Sequence, residues 1–413
     1  MDTTILEHVN AMPAPTWHWL RMNETTVEVP TGTGVAHAAT LEVPQGARGT
    51  ADAFERALAR AQVEWEALHP ASAANDSGKA TDALDETARS SYQSRADAIE
   101  AARSLEAAFE CGMGESAWSF MRSAAKEPLV IEAKPGESVQ ASVRVNGIDG
   151  TANLAAIDVV AAEDSEVELV IAVDSPETGT GLTGSSVRVF AGRSSQVRVL
   201  RTQTLDDTWI DLDDMGLFTA EGARIDVRQT VLGAEKSYTG LAGDLRGDSS
   251  QVGVDVRYLG RAQQLRDFSY TLRHHGQKTE CAIGANGVLA GTSKKTLRGT
   301  IDLIRGCKGA SGQENETVLL VDEGVENKTV PVILCSEDDV AGNHGATIGH
   351  VRPEQMFYLA SRGLTQEAAE RMFVSAMLEQ AALDAPDAAS RAGVERLAAR
   401  IGIPLPASDT EEA

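Results

Sequence analysis

Val252-Gly-Val-Asp-Val-Arg-Tyr258 and Phe268-Ser-Tyr-Thr-Leu272 decide how this chain folds. Each alternates apolar and polar residues with a period of two, the pattern of a strand with one buried face. The texture continues both ways. Upstream it recurs at Ser142-Val-Arg-Val145, Val167-Glu-Leu-Val-Ile-Ala-Val173, Val187-Arg-Val189, Val197-Arg-Val-Leu200 and Ile225-Asp-Val227. Downstream it recurs at Thr300-Ile-Asp-Leu-Ile304, Val318-Leu-Leu-Val321 and Val330-Pro-Val-Ile-Leu334. Runs returning every ~10 to 20 residues between Gly, Ser, Asp and Asn fit a sandwich, a barrel or a solenoid. Aromatics make up only 4% of the chain, and clear hairpin dipeptides are missing, so a sandwich of this length is the poorer fit. Stacked coils of a β-helix need only small apolar residues inside and Gly-type corners. Spacing favours the β-helix and leaves the sandwich open.

The flanks read differently. Residues 1–127 are expected to form an N-terminal helical region, 128–350 the β core, and 351–413 a C-terminal helical region. Pro13-Ala-Pro15-Thr16-Trp17-His18-Trp19-Leu20 is an extended Pro-led opening with two Trp on one face. Ala51–Leu68 and Ala80–Ala125 are rich in Ala, Glu and Arg, with high helix propensity. His69-Pro70 and the polar run Ser72–Lys79 separate them. In the C-terminal region Thr365 caps a helix with Glu367 in its first turn, Asp384-Ala-Pro386 ends it, and a second short helix covers Gly393–Ala399.

At 413 residues the chain can bury a large core. Its net charge of −24 argues against nucleic acid and anionic membrane surfaces, both of which call for clustered Lys and Arg. No apolar run follows Met1 and no window reaches the length of a membrane span, so a cytoplasmic protein is expected. The four cysteines, Cys111, Cys281, Cys307 and Cys335, are far apart without CxxC spacing and read as reduced thiols.

Candidate chemistry is sparse. Gly179-Thr-Gly181-Leu-Thr-Gly184 matches GxGxxG, but the strand-like Ser186-Val-Arg-Val-Phe190 follows where a phosphate site needs a helix. His274-His275 lie next to each other on a strand run, point to opposite faces and cannot easily share a ligand, so hydrogen-bonded or solvated side chains are expected. Glu337-Asp338-Asp339 lacks the ligand alternation of a calcium loop and reads as an exposed acidic turn. Cys281, Cys307 and Cys335 adjoin apolar runs and read as buried thiols.

One block stands out: Asp339-Val-Ala-Gly-Asn-His344-Gly-Ala-Thr-Ile-Gly349, then Phe357-Tyr-Leu-Ala-Ser-Arg-Gly363. It resembles the SufB/SufD family of iron–sulfur cluster assembly proteins. Gly299-Thr-Ile-Asp-Leu-Ile304 and Glu314-Asn-Glu-Thr-Val-Leu-Leu320 resemble that family's preceding strand and "nNnLLL"-type segment. The N-terminal Pro15-Thr16-Trp17-His-Trp19-Leu20 and the chain length look like SufD rather than SufB. The likeness is strongest over about Phe268 to Met377.

The resemblance implies a right-handed parallel β-helix with helical ends. It implies a scaffold without its own ATP site, pairing with a SufB-like subunit through the β-helix and carrying a SufC-like ATPase on the C-terminal helices. A homodimer is a further possibility. A transient iron–sulfur cluster would form near the subunit interface, with His344 at the matching position as an interfacial ligand. The chain departs from the family at the triplet Gly342-Asn343-His344, where SufD proteins often carry Cys-Ser-His; the thiol two positions before the His is missing. The rival readings are a SufB-like primary cluster scaffold and a β-helical carbohydrate-active enzyme, which would need paired carboxylates on adjacent coils.

Overall fold

In a computed structural model, residues 3–14, 21–30, 35–36, 39–68 and 111–405 are described. Trp17, Trp19, the His69-Pro70 break, most of the expected Ala80–Ala125 helix and the acidic C-terminal tail lie outside the described residues.

The core is a parallel β-solenoid of two nine-stranded sheets, with successive strands alternating between them. One sheet holds β4 (Ala39–Glu42), β6 (Ser138–Asn146), β8 (Glu166–Asp174), β10 (Gln196–Gln203), β12 (Arg224–Val231), β14 (Gln251–Gly260), β16 (Glu280–Leu289), β18 (Ser311–Leu320) and β20 (Ala341–His350). The other holds β3 (Val35–Ala36), β7 (Ala152–Ala161), β9 (Gly181–Ala191), β11 (Trp209–Thr219), β13 (Lys236–Leu245), β15 (Leu265–His274), β17 (Lys294–Leu303) and β19 (Glu326–Cys335), with β5 (Leu129–Ala133) also on β7. Each coil supplies one strand to each sheet. Register therefore advances by a whole coil: Glu166 pairs with Gln196, Gln196 with Arg224, Arg224 with Gln251 and Gln251 with Glu280. The sandwich alternative required antiparallel pairing, and among the described strands of the two large sheets antiparallel pairing is confined to the short β4, apart from a single bridge of Arg48 to Ile131.

Period-two alternation sends every second side chain inward. Val167, Leu169, Ile171 and Val173 stack on Val197 and Val199, and those on Ile225 and Val227, in one continuous core. The interior is apolar on one side. It is polar where even strands hand over to odd ones. There Arg201 donates to Asp211 at 2.8 Å, Gln229 to Asp213 at 2.7 Å, and Tyr270 to Gln229 at 2.8 Å. Burial, opposed by Arg201, pushes the Asp213 carboxyl up to about 7.

Strands β7, β9, β11, β13 and β15 are buried on both faces because the N-terminal part packs across them. Beside the helices expected there, the described residues of this part also form strands. Its described residues include the antiparallel pair β1 (Thr3–Val9) and β2 (Thr25–Pro30), beside α1 (Ala53–Leu68) and α2 (Glu115–Ala125). Leu6, Val9, Val27, Val29, Met113, Ala117 and Met121 form a second core against Leu154, Leu182 and Leu212. Runs as short as Leu6–Val9 carry too few residues to display a period.

At the other end come α3 (Pro353–Ser361), α4 (Gln366–Leu383) and α5 (Ala388–Arg400). Thr365 caps α4 as expected, its hydroxyl accepting from the Ala368 amide at 3.1 Å, and Glu367 sits in the first turn. The last helix starts earlier than Gly393, because the Asp387 carboxylate accepts from the Ser390 amide at 2.7 Å. Val374, Leu378, Val394 and Leu397 bury against Leu232, Leu259 and Val288 near the strand ends.

Candidate functional site

The last coil ends the solenoid on its C-terminal side. Among the described residues β20 pairs only with β18, and β19 only with β17. His344, which follows the acidic turn Glu337-Asp338-Asp339, lies inside strand β20. Ala-Gly-Asn-His-Gly-Ala-Thr has little intrinsic β propensity. The strand exists because all ten of its residues pair in register with β18. Nearly the whole of it is exposed, Ile348 at 45%. Such an edge offers a row of unpaired amides and carbonyls.

His344 pairs with Glu314, so both project from the same, inward face, with His344 at the open mouth and Glu314 one coil deeper. Glu316 also faces inward, below Ala346. Lys295 pairs with Glu316, and Thr329 and Tyr258 each donate to the same carboxylate, at 2.6 and 3.1 Å. Glu316 is thereby fully engaged. Glu314 is not. It is 3% exposed and makes no side-chain hydrogen bond among the described residues. Its carboxylate occupies the space left by Gly299, where a Cβ would come within 2.3 Å of Oε1. Burial, reinforced by Glu316, pushes it up to about 7. Sequence reading placed Glu314 in a motif segment but did not see this role, because only the register shows which residue lies beneath His344.

The other candidates are accounted for by local structure. Gly179 has φ of 110° in a turn, and Gly181 and Gly184 lie within β9, so the GxGxxG match opens a strand. The Glu337 carboxylate accepts from the Gly306 amide at 2.9 Å, making the acidic run a turn cap. His275 bonds Asp244 at 2.7 Å on the outside. His274 points inward: Thr279 Oγ1 donates to the Gly276 carbonyl, so Nδ1–H donates to Thr279 and Nε2 accepts from the Cys281 thiol at 3.1 Å. Burial pushes Cys281 up to about 12 and Cys307 to about 11. Cys335 departs from expectation and is exposed, since it ends the edge strand β19. Among the described residues no cluster of three or more His, Cys, Asp or Glu side chains is arranged to hold a metal ion.

A second surface lies on the C-terminal helices. Phe357 is 77% and Tyr358 57% exposed. Beside them a groove of about 350 Å³ is lined by Glu354, Gln355, Tyr358, Leu359, Met372 and Phe373. No helix among the described residues is long and apolar enough to cross a membrane.

Residues 143–377 match the family described as "SUF system FeS cluster assembly, SufBD core domain". The chain is 30% identical over 135 residues to the iron–sulfur cluster assembly protein SufD of Bacillus subtilis, covering 33% of this chain and 31% of that protein. It is 32% identical over 133 residues to a SufBD family protein of Mycobacterium tuberculosis, 32% of this chain and 16% of the other. It is 23% identical over 223 residues to one from Staphylococcus aureus, 54% of this chain and 48% of the other. The matched stretches thus span from about a sixth to a half of these relatives' own lengths.

Proposed function

Because this chain belongs to the SufBD family of the SUF system for FeS cluster assembly, we propose that it is a SufD-like, non-catalytic scaffold subunit of that system. It pairs through the open end of its solenoid with a SufB-like subunit and docks a SufC-like ATPase on its C-terminal helices. The observation that carries this reading is the unpaired final coil, whose inward face presents His344 to whatever covers it. An added β-solenoid would satisfy the free edges of β19 and β20 by main-chain hydrogen bonding. Imidazole at that junction suits iron. The groove between Tyr358 and Phe373 has the size and apolar lining of a docking site for a partner's side chains. Neighbouring-coil carboxylates such as Asp226 and Asp255 are held in ion pairs with Arg224 and Arg228, which gives the carbohydrate-active alternative no support.

The test is co-expression with SufB-like and SufC-like proteins, followed by pull-down and cluster reconstitution. All three chains are expected to co-purify. His344→Ala is expected to lower cluster assembly in the intact complex. Full activity in both His344→Ala and His344→Gln would remove the histidine from the mechanism.

A further inference from the structure

We propose that Glu314 is a second metal-facing group of the His344 site, so that the solenoid mouth offers a carboxylate and an imidazole to a first-row divalent cation such as ferrous iron. The inference rests on the reading of His344 as an interfacial ligand, and deepens it.

Three observations lead to it. Glu314 and His344 are register partners on the inward face of adjacent strands, about 4.8 Å apart along the sheet. The Glu314 side chain is 3% exposed and lies beside a second carboxylate, Glu316, with Lys295 as the cation acting on it, although a buried carboxylate is costly unless it is closely paired or bound to a metal. Lys295, the nearby cation, is already bound to Glu316 and Thr329, which leaves two inward carboxylates sharing one ammonium. The small neighbours are consistent with this: Gly299 opposite leaves room for the carboxylate, and Gly342 and Ala346 flank His344 on the inward face of β20. Two ligands do not make a closed site, in keeping with the absence of any three-ligand cluster among the described residues. The chain thus supplies half of a coordination sphere, and the subunit covering the mouth supplies the rest. A carboxylate beside an imidazole is an oxygen–nitrogen set suited to Fe²⁺ or Mn²⁺ rather than to soft, thiolate-preferring ions.

The experiment is titration of the purified complex of the full chain and its SufB-like partner with Co²⁺, a ferrous surrogate with a visible spectrum. It is run on wild type, Glu314→Gln, His344→Ala and Gly299→Ala, with co-purification and thermal unfolding checked for each. Glu314→Gln keeps shape and removes only the charge, and is expected to weaken Co²⁺ binding about tenfold or more. Gly299→Ala drives a methyl into the carboxylate and is expected to weaken it as well. Wild-type Co²⁺ affinity and spectrum in Glu314→Gln, with loss in His344→Ala, would overturn the role of Glu314 and leave that of His344 standing. Wild-type behaviour in both would overturn both. If Glu314→Gln failed to assemble, Gly299→Ala would decide on the same reading.

Discussion

A buried histidine gives the sharpest residue-scale prediction. Burial and the adjacent His275 push His274 down to about 4. Between about pH 4 and 6.5 the unfolded chain binds a proton at this site and the folded chain does not. Stability therefore falls as pH drops from 6.5 towards 4. His274→Gln is expected to flatten that slope in denaturant titrations taken at several pH values. Asp213 and Glu314, with raised values, push the other way over the same range in wild type and variant alike, so the difference isolates His274. An equal slope in the variant would contradict the assignment. Gly240 is a steric counterpart. A Cβ there would come within 2.5 Å of the Gly112 carbonyl carbon and the Met113 amide nitrogen, where the segment before α2 crosses β13. Gly240→Ala is expected to destabilise by about 1–3 kcal/mol, read as a lowered Tm, because backbone on both sides has to shift.

At the scale of elements, the proposed function predicts that the edge strand β20 and the groove on α3 and α4 act as separate interfaces. Ile348 stacks above Val318 on the inward face and is half exposed. Ile348→Lys should block end-to-end pairing, with a SufB-like chain or with a second copy, while the unfolding midpoint of the isolated chain barely moves. Sedimentation velocity and pull-down would read this, and retained pairing would count against the open coil as the junction. Met372→Glu, in the groove, should lose the SufC-like ATPase and keep the SufB-like partner. Loss of both partners together would mean that the two surfaces are not independent.

Over the whole molecule, the solenoid is held from two sides. The N-terminal core covers the odd sheet, and the C-terminal helices bury Leu232, Leu259 and Val288. Removing residues 352–413 would bare that apolar strip, and is expected to lower the Tm of the remainder. Interior polarity adds a second whole-molecule constraint. Arg201 is fully buried and serves Asp211, Asp213 and Ser185 at once. Arg201→Met would strand two buried carboxylates, and is expected to cost about 3–5 kcal/mol in chemical denaturation. A change below 1 kcal/mol would show that the pair is not carrying the coil.

Much of this was legible in the sequence. Alternation in runs such as Val252–Tyr258 specified strands with one buried face, because a pleated backbone makes inward and outward positions strictly periodic. The segment at Asp339–Gly349 carried the family resemblance, and Thr365 announced its helix through ordinary capping chemistry. Other elements gave no such signal. Strands β9, β11 and β13 are full of Gly, Ser and Asp, and β20 of Gly and Ala. They are strands because neighbouring coils supply hydrogen-bonding partners, a tertiary cause that overrides local propensity. The pairing of Glu314 with His344, 30 residues away, follows from the length of the coil between them and from nothing either residue displays. Sequence by itself determined which side chains alternate and which family they belong to; tertiary structure decided which of them meet, because register is set by the stacking of whole coils.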